Sequence, residues 1–169
     1  MIYVCPLSRI EETVARTGAR RMVTLLTAGT EVVRPAVLAE ADHLHLIMHD
    51  IVDEIADMTP PSDDHVAALL AFARSWDREA PMLIHCFAGV SRSTAAAYTV
   101  AAALAPARDE LELARALRKA SPTATPNSRI IAIADRLLGR EGRMSAAIET
   151  IGRGADAMEG VPFRLDLEA

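Results

Sequence analysis

The stretch that decides the fold is PMLIHCFAGVSRSTAAAYTVAAAL, which occupies residues 81–104. Its first part, Pro81-Met82-Leu83-Ile84, is short and apolar, which is typical of a buried strand. Its last part, residues 94–104, is rich in alanine and predicts a buried helix. Between the two, residues 85–93 form a tight loop. That loop would place a cysteine at the end of a strand and an arginine at the start of a helix.

A loop of this kind has the chemistry of an anion cradle. Its backbone N–H groups would surround a common centre, and the dipole of the following helix adds partial positive charge there. The guanidinium of Arg92 can hold two oxygens of a doubly charged anion in a planar fork. The same field would favour the thiolate of Cys86 and make it a nucleophile. The alternative is a buried structural cysteine, which would need neither the glycine nor the arginine of the loop.

His85-Cys86, five residues and then Arg92-Ser93 resemble the phosphate-binding loop of cysteine-based protein tyrosine phosphatases, including their dual-specificity branch. The resemblance implies that Cys86 is the nucleophile and that Arg92 grips the phosphate. It implies that Ser93 eases departure of the thiolate and that His85 packs behind the loop without touching substrate. The residues implied in substrate binding are Phe87, Ala88, Gly89, Val90, Ser91 and Arg92. The arrangement looks like a bacterial predicted protein tyrosine phosphatase.

The resemblance implies hydrolysis of a phosphate monoester. This reaction needs an acid, because protonation assists the departure of an alkoxide or phenolate from phosphorus. Asp50 stands at the carboxyl end of the strand predicted for residues 43–49, on the same sheet edge as the loop. It also resembles the general-acid position of dual-specificity phosphatases. Asp53 and Asp57 are the alternatives. The alternative to an acid role is that the acidic segment from Asp50 to Asp64 is only a solvated surface loop that caps the next helix.

Composition limits the classes of protein that the chain can represent. With 169 residues, of which 51% are hydrophobic, the chain is expected to form one domain with a proper core. The formal net charge of −5 argues against nucleic acid as a partner. No apolar run reaches the length of a membrane span, and Met1-Ile2-Tyr3-Val4 does not begin a secretory peptide. We therefore expect a cytoplasmic protein without a membrane partner, in which Cys5 and Cys86 remain reduced.

Strand and helix patterns alternate along the first half of the chain. Strand patterns occupy residues 2–7, 21–26, 43–49 and 81–84. The first helix is predicted to begin at Ser8, with Glu11 completing a capping box, and to end at Gly18. This alternation of strands and helices predicts an α/β fold with a central, mostly parallel sheet flanked by helices, as in the protein tyrosine phosphatases.

The domain organisation is expected to be simple. Residues 1–169 form a single phosphatase domain, with a core over 1–138 and a C-terminal extension of unclear role over 139–169. Asn127 is predicted to be the N-cap of a late helix, and Pro126-Asn127 resembles a pair that opens a helix in dual-specificity phosphatases. The extension is expected to hold a short helix and an extended segment.

Three other functions deserve comparison with the phosphatase hypothesis. His43, His45 and His49 share strand parity and could face one another, but no cysteine or glutamate cluster completes a metal site. A rhodanese-like sulfurtransferase also mounts a cysteine on a strand-loop-helix cradle, although its loop would not call for the Gly-x-Ser-Arg-Ser ending. A non-catalytic phosphate-binding module would generally lose the nucleophile, whereas Cys86 is present.

The resemblance also bears on cofactors and substrate. It implies no metal and no cofactor, since backbone amides and Arg92 supply the positive charge. The implied partner is a phosphorylated protein or peptide, and the oligomeric state is left open. Phosphoinositide phosphatases of this superfamily carry lysines in the loop, whereas Phe87, Ala88 and Val90 are uncharged. Protein phosphotyrosine is therefore the expected substrate, with tyrosine-only and dual specificity both open.

Overall fold

The computed structural model describes residues 1–168 of the chain, and its fold is built on one sheet. The strands are β1 (Ile2–Pro6), β2 (Arg21–Leu26), β3 (His43–Ile47), β4 (Met82–Cys86) and β5 (Phe163–Leu165). Their order in the sheet is β3-β2-β4-β1-β5. Strands β1 to β4 run parallel to their neighbours, and β5 pairs antiparallel with β1. The carboxyl ends of the parallel strands therefore meet at one edge, where ligands bind in such sheets.

Helices cover both faces of this sheet. They are α1 (Ile10–Thr17), α2 (Asp63–Arg74), α3 (Arg92–Leu104), α4 (Glu110–Ala120), α5 (Ser128–Leu137) and α6 (Arg143–Ile151). A small apolar cluster lies under α1, and the main core lies between the other face and the remaining helices. The predicted α/β fold with a central sheet flanked by helices is confirmed. Within residues 1–168, no helix is long and apolar enough to cross a membrane.

Helix α3 lies at the centre of the main core. Its residues from Arg92 to Ala102 are buried, and it contacts α2, α4, α5 and the sheet. Alanine is the strongest helix former, and its small side chain lets neighbouring helices approach closely. The alanine-rich sequence therefore permits a helix that is buried all round, as predicted. The helix begins at Arg92, two residues before the predicted start.

The capping box predicted for the first helix is wrong. Leu7–Arg9 form a turn of 3₁₀ helix, and α1 begins only at Ile10, with no side-chain hydrogen bond at its N-cap. The hydroxyl of Ser8 instead donates to Glu159 Oε2 at 3.0 Å. The end of this helix is as predicted, since Gly18 takes the left-handed conformation at φ 69°.

Residues 139–168 pack against the rest of the chain along most of their length. Helix α6 contacts α4 and α5, and β5 extends the sheet. The start of α6 is held by the buried carboxylate of Asp135, which accepts from Gly142 N at 2.6 Å and from Met144 N at 2.7 Å. Alternate residues Phe163, Leu165 and Leu167 are buried in the main core. The C-terminal residues thus complete both the helical layer and the edge of the sheet.

Candidate active site

The Cys86 loop, defined as residues 86–92, joins β4 to α3 at the carboxyl edge of the sheet. Cys86 is the last residue of β4, and Arg92 is the first residue of α3. Strand β4 lies between β1 and β2, so the ends of these two strands flank the loop. The structure thereby brings together parts of the chain that are distant in sequence around one short loop.

The carbonyl groups of the Cys86 loop point outward and accept hydrogen bonds from other parts of the chain. The pairs are Leu7 N to Phe87 O (3.0 Å), Gly160 N to Ala88 O (2.8 Å), Thr125 N to Val90 O (2.9 Å) and Asn127 N to Ser91 O (3.3 Å). In a trans peptide unit the N–H points opposite to the C=O. The N–H groups that therefore face the inside of the loop belong to Ala88, Gly89, Ser91 and Arg92.

Gly89 allows the loop to press against β1. Its φ is +70°, and a Cβ at this position would lie 2.7 Å from Pro6 N and 2.9 Å from Cys5 C. Both the left-handed backbone and the close approach require glycine. The N–H of Gly89 donates to Cys86 Sγ at 3.3 Å, which agrees with the inward direction of the loop amides.

Cys86 lies at the base of the loop and is only 2% exposed. Its Sγ lies 3.1 Å from Ser93 Oγ, and Ser93 is itself fully buried. The structure therefore places the predicted nucleophile in contact with the hydroxyl predicted to stabilise its thiolate.

The second cysteine, Cys5, lies on the opposite side of the sheet. It belongs to the small cluster under α1, whereas Cys86 belongs to the main core, and both thiols are free. Burial raises the pKa of the Cys5 thiol to about 12. Cys5 therefore stays a neutral thiol at physiological pH and packs as an apolar side chain.

Arg92 is held through one of its guanidinium nitrogens. Its side chain is buried, and Nη1 donates to Met48 O at 2.8 Å and to Thr27 Oγ1 at 3.3 Å. Its Nε is buried and has no hydrogen-bond partner among residues 1–168. A buried donor without a partner is costly, and Arg92 Nε, at the end of the Cys86 loop, is available to an anion bound there.

Asp50 lies beside the loop, close to the end of β3. Its Oδ1 accepts from Ser91 Oγ at 2.8 Å and from Asn127 Nδ2 at 2.8 Å. For Asp53 and Asp57, the described residues show no hydrogen bond to the Cys86 loop, and both side chains are exposed. Of the predicted acids, the structure brings only Asp50 into contact with the loop in the part of the chain it describes.

The segment that carries Asp50 is anchored at several points. His49 N donates to Thr59 O at 2.7 Å, and Thr59 N donates to His49 Nδ1 at 2.9 Å. Arg129 of α5 donates to Pro61 O at 2.8 Å and to Val52 O at 3.0 Å. These contacts hold residues 49–61 against α5 and so fix the carboxylate of Asp50 beside the loop.

His85 lies behind the loop and joins a chain of hydrogen bonds that leads to the edge of the sheet. Its Nδ1 lies 3.4 Å from Cys86 O and its Nε2 lies 2.6 Å from Thr24 Oγ1. Thr24 Oγ1 in turn lies 2.7 Å from His43 Nε2. If His85 Nδ1–H donates to Cys86 O, then Thr24 donates to His85 Nε2 and His43 Nε2–H donates to Thr24. Both ring nitrogens of His85 and the hydroxyl of Thr24 then have partners, with both imidazoles neutral.

The histidines of β3 do not form a metal site in the described residues. His43 and His45 stack with ring centroids 6.0 Å apart, and His49 lies beyond the end of the strand. No group of three His, Cys, Asp or Glu side chains within residues 1–168 is arranged to hold a metal ion.

Several residues of the site were missed from the sequence because they act through the backbone. Leu7, Thr125 and Gly160 each contribute an N–H group to the loop carbonyls. Asn127 is the predicted N-cap of α5, since its Oδ1 accepts from Arg129 N and Ile130 N, both at 3.1 Å. Its second contact, to Asp50, follows from its buried position beside the loop. The Pro126-Asn127 pair was the one signal that marked this region.

Comparison with known proteins agrees with this geometry. The family model described as protein-tyrosine phosphatase matches residues 48–124, which include Asp50, the Cys86 loop and α3. No curated protein matches the chain in sequence. The match to the family model supports phosphatase activity.

Solved structures of phosphatases share the fold. The PTP-2 phosphatase of Cydia pomonella has a TM-score of 0.62 and 19% identity, covering 80% of this chain and 84% of that chain. Human DUSP28 has a TM-score of 0.62 and 19% identity, covering 83% and 89%. DUSP15 has a TM-score of 0.60 and 14% identity, covering 88% and 90%. The match to the family model confirms the resemblance to protein tyrosine phosphatases, and the solved structures show that the chain shares the fold of dual-specificity phosphatases such as DUSP15 and DUSP28.

The buried position of His85 predicts a pH-dependent stability. Burial is the main cause that lowers the pKa of His85 from 6.5 to about 4. The unfolded chain therefore takes up this proton at a higher pH than the folded chain. The stability linked to His85 is intact above pH ~6.5 and is lost as the pH falls towards 4, by about 3 kcal/mol in all.

Chemical denaturation of the wild type and of His85→Asn between pH 4 and pH 7 would measure this effect. The free energy of unfolding of His85→Asn should fall less steeply on acidification, whereas the exposed-site control His45→Asn should follow the wild type. Equal pH dependence of His85→Asn and wild type would show that His85 is not a buried neutral imidazole.

Proposed function

We propose that this chain, as one phosphatase domain, hydrolyses phosphate monoesters of protein tyrosine through a phosphocysteine intermediate on Cys86. The observation that carries the proposal is a loop whose amides face inward over the buried sulfur of Cys86, to which Gly89 N donates. At the end of this loop, Arg92 Nε has no partner among residues 1–168. A phosphate dianion would satisfy the amides and Arg92 together.

Substrate binding follows from the directions of these donors. The inward N–H groups of Ala88, Gly89, Ser91 and Arg92 would each face a phosphate oxygen. Arg92 would add a charged fork, because Nη1 is already tied to Met48 O and the orientation of the guanidinium is fixed. Donors fixed before the reaction stabilise the charge that develops on the equatorial oxygens in the transition state.

The first chemical step forms a bond between Cys86 Sγ and phosphorus while the bond from phosphorus to the leaving oxygen breaks. Asp50 gives its proton to that oxygen, so that a neutral alcohol or phenol departs. The hydrogen bonds from Ser91 and Asn127 both reach Oδ1 of Asp50, which leaves Oδ2 to carry the proton. The products of this step are the phosphocysteine and the carboxylate of Asp50.

The second step returns the enzyme to its starting state. The carboxylate of Asp50 takes a proton from a water molecule, whose oxygen bonds to phosphorus as the bond from sulfur to phosphorus breaks. The sulfur leaves as a thiolate, and the hydroxyl of Ser93, 3.1 Å away, donates to it. Inorganic phosphate is released, and Asp50 is protonated again for the next turnover.

The surroundings of the loop favour an aromatic phosphate ester on a protein. The rim carries exposed apolar side chains, with Phe87 58% exposed and Val52 47% exposed. A cleft of about 470 Å³ adjoins Asp50 and Ser91, and Val52 and Ile148 are among its lining residues. The phenyl ring of phosphotyrosine would pack on this rim, and the cleft has room for neighbouring residues of the substrate.

The nucleophile and the phosphate-binding arginine are tested by substitution. Cys86→Ser should abolish turnover of an aryl phosphate, because a serine hydroxyl is a far weaker nucleophile than a thiolate. Arg92→Lys should also lower kcat/KM severely, by about 100-fold or more, since an ammonium cannot reproduce the planar fork. Cys5→Ser is the matched control and should keep activity. Turnover by Cys86→Ser within a few-fold of wild type would refute the covalent mechanism.

The general acid is tested through the leaving group. Asp50→Asn should slow esters of poorly leaving alcohols far more than activated aryl phosphates, which need little protonation. It should also flatten the alkaline limb of the pH–rate profile. Asp53→Asn serves as the control and should keep the wild-type dependence on the leaving group. If Asp53→Asn shows the effect and Asp50→Asn does not, the acid is Asp53.

Substrate selectivity is the third test of the proposed function. Packing of the phenyl ring on the apolar rim contributes about 1–2 kcal/mol by buried area, and a phenolate leaves more readily than an alkoxide. We expect phosphotyrosine peptides to exceed matched phosphoserine peptides at least about tenfold in kcat/KM. Phe87→Ala should reduce this preference and leave inhibition by inorganic phosphate unchanged. Equal kcat/KM values, or a preference for an inositol phosphate, would contradict the assignment.

A further inference from the structure

The segment after α6 crosses the back of the Cys86 loop before it enters β5. We call residues 152–162 the C-terminal strap. Near its start, Gly154 N donates to Thr125 Oγ1 at 3.1 Å and Ala155 N donates to Pro122 O at 2.9 Å. Near its end, Gly160 N donates to Ala88 O at 2.8 Å. Between these anchors residues 155–159 are exposed, and Met158 is 96% exposed.

Close contact between backbones explains the glycine at each anchor. A Cβ on Gly154 would lie 2.6 Å from Thr123 C, and a Cβ on Gly160 would lie 2.9 Å from Gly89 O. Neither glycine is among the residues with positive φ, so backbone conformation does not require glycine at these positions. The requirement is one of space, because the strap lies directly against the loops that it contacts.

Gly160 binds the same peptide unit that donates a hydrogen bond to Cys86 Sγ. This unit joins Ala88 to Gly89, and its carbonyl accepts from Gly160. Its N–H lies on the opposite side and donates to Cys86 Sγ at 3.3 Å. Any rotation of this peptide that breaks the first hydrogen bond also turns the N–H away from the sulfur.

The other anchor reaches the loop through one further residue. Thr125 receives the hydrogen bond from Gly154, and Thr125 N donates to Val90 O at 2.9 Å. The strap thereby supports the carbonyls of Ala88 directly and of Val90 indirectly. In addition, Ser8 Oγ donates to Glu159 Oε2 at 3.0 Å, which ties the strap to the end of β1 next to Gly160.

We propose that Gly160 is a positioning residue for the reaction at Cys86, and that the C-terminal strap holds the Ala88–Gly89 peptide in its anion-binding orientation. Gly160 donates to Ala88 O and not to Cys86, so it acts through the direction of a single amide. The inference rests on the proposed function for its effect on turnover. Its effect on the loop itself is measurable whether or not the chain is a phosphatase.

The test is Gly160→Ala, with alkylation of Cys86 by iodoacetamide as the readout, mapped by mass spectrometry to separate it from Cys5. The added methyl group should displace the loop, so the concentration of inorganic phosphate that half-protects Cys86 should rise about tenfold or more. If aryl phosphates are turned over, kcat should fall by a similar factor. Leu165→Ala is the control, since Leu165 pairs with Ile2, at the end of β1 that is far from the loop.

The control separates positioning from stability. Leu165→Ala should lower the melting temperature yet keep phosphate protection within about twofold of wild type. Wild-type protection in Gly160→Ala, or a loss in Leu165→Ala that follows its melting temperature, would overturn the proposal. Should Gly160→Ala not fold, Ser8→Ala removes the adjacent exposed contact and should weaken phosphate protection by about two- to threefold. No change in Ser8→Ala would then overturn it.

A wild-type chain that turns over no phosphate monoester would refute the proposed function alone. Protection of Cys86 by inorganic phosphate would still report the orientation of the loop. The two proposals therefore fail by different measurements.

Discussion

The geometry around Cys86 depends on where the carbonyl groups of its loop find hydrogen-bond donors. A buried carbonyl needs a partner, and an unpaired one costs about 1–3 kcal/mol. Donors placed outside the loop draw these carbonyls outward and leave the N–H groups pointing in. If the carbonyls turned inward instead, their oxygens would repel both a phosphate and the sulfur of Cys86. The external donors thus give the loop the orientation that the proposed phosphate site requires.

The donors come from parts of the chain that are far apart in sequence. Leu7 follows β1, Thr125 and Asn127 precede α5, and Gly160 lies in the C-terminal strap. The sheet order places β1 beside β4, and the antiparallel pairing of β5 with β1 returns the strap to the same edge. The sheet topology therefore positions the donors around the loop. The C-terminal strap supplies a backbone N–H group to the loop, as the residue after β1 does.

The sequence predicted those residues of the candidate site whose side chains carry a recognisable chemistry. Cys86 and Arg92 were predicted as site residues from their side chains and spacing, and Asp50 was predicted because parallel strands end at one edge. The structure brings all three to the Cys86 loop. Gly160 and Leu7 could not be found, because they act through a backbone N–H that nearly every residue possesses. Ser8 was misassigned because its hydroxyl has a tertiary partner, Glu159, 151 positions along the chain. Thr24 was missed since its link to His85 requires the register of β2 on β4.

The central claim is that the loop holds a phosphoryl group on Cys86 during turnover. Rapid quenching of a reaction with a phosphotyrosine peptide carrying labelled phosphate, followed by peptide mapping, measures this most directly. Label is expected on the peptide that contains Cys86 and none on the peptide that contains Cys5, with more label when Asp50→Asn slows hydrolysis. Peptide turnover with labelled phosphate released and no covalent adduct at Cys86 in either protein would contradict it.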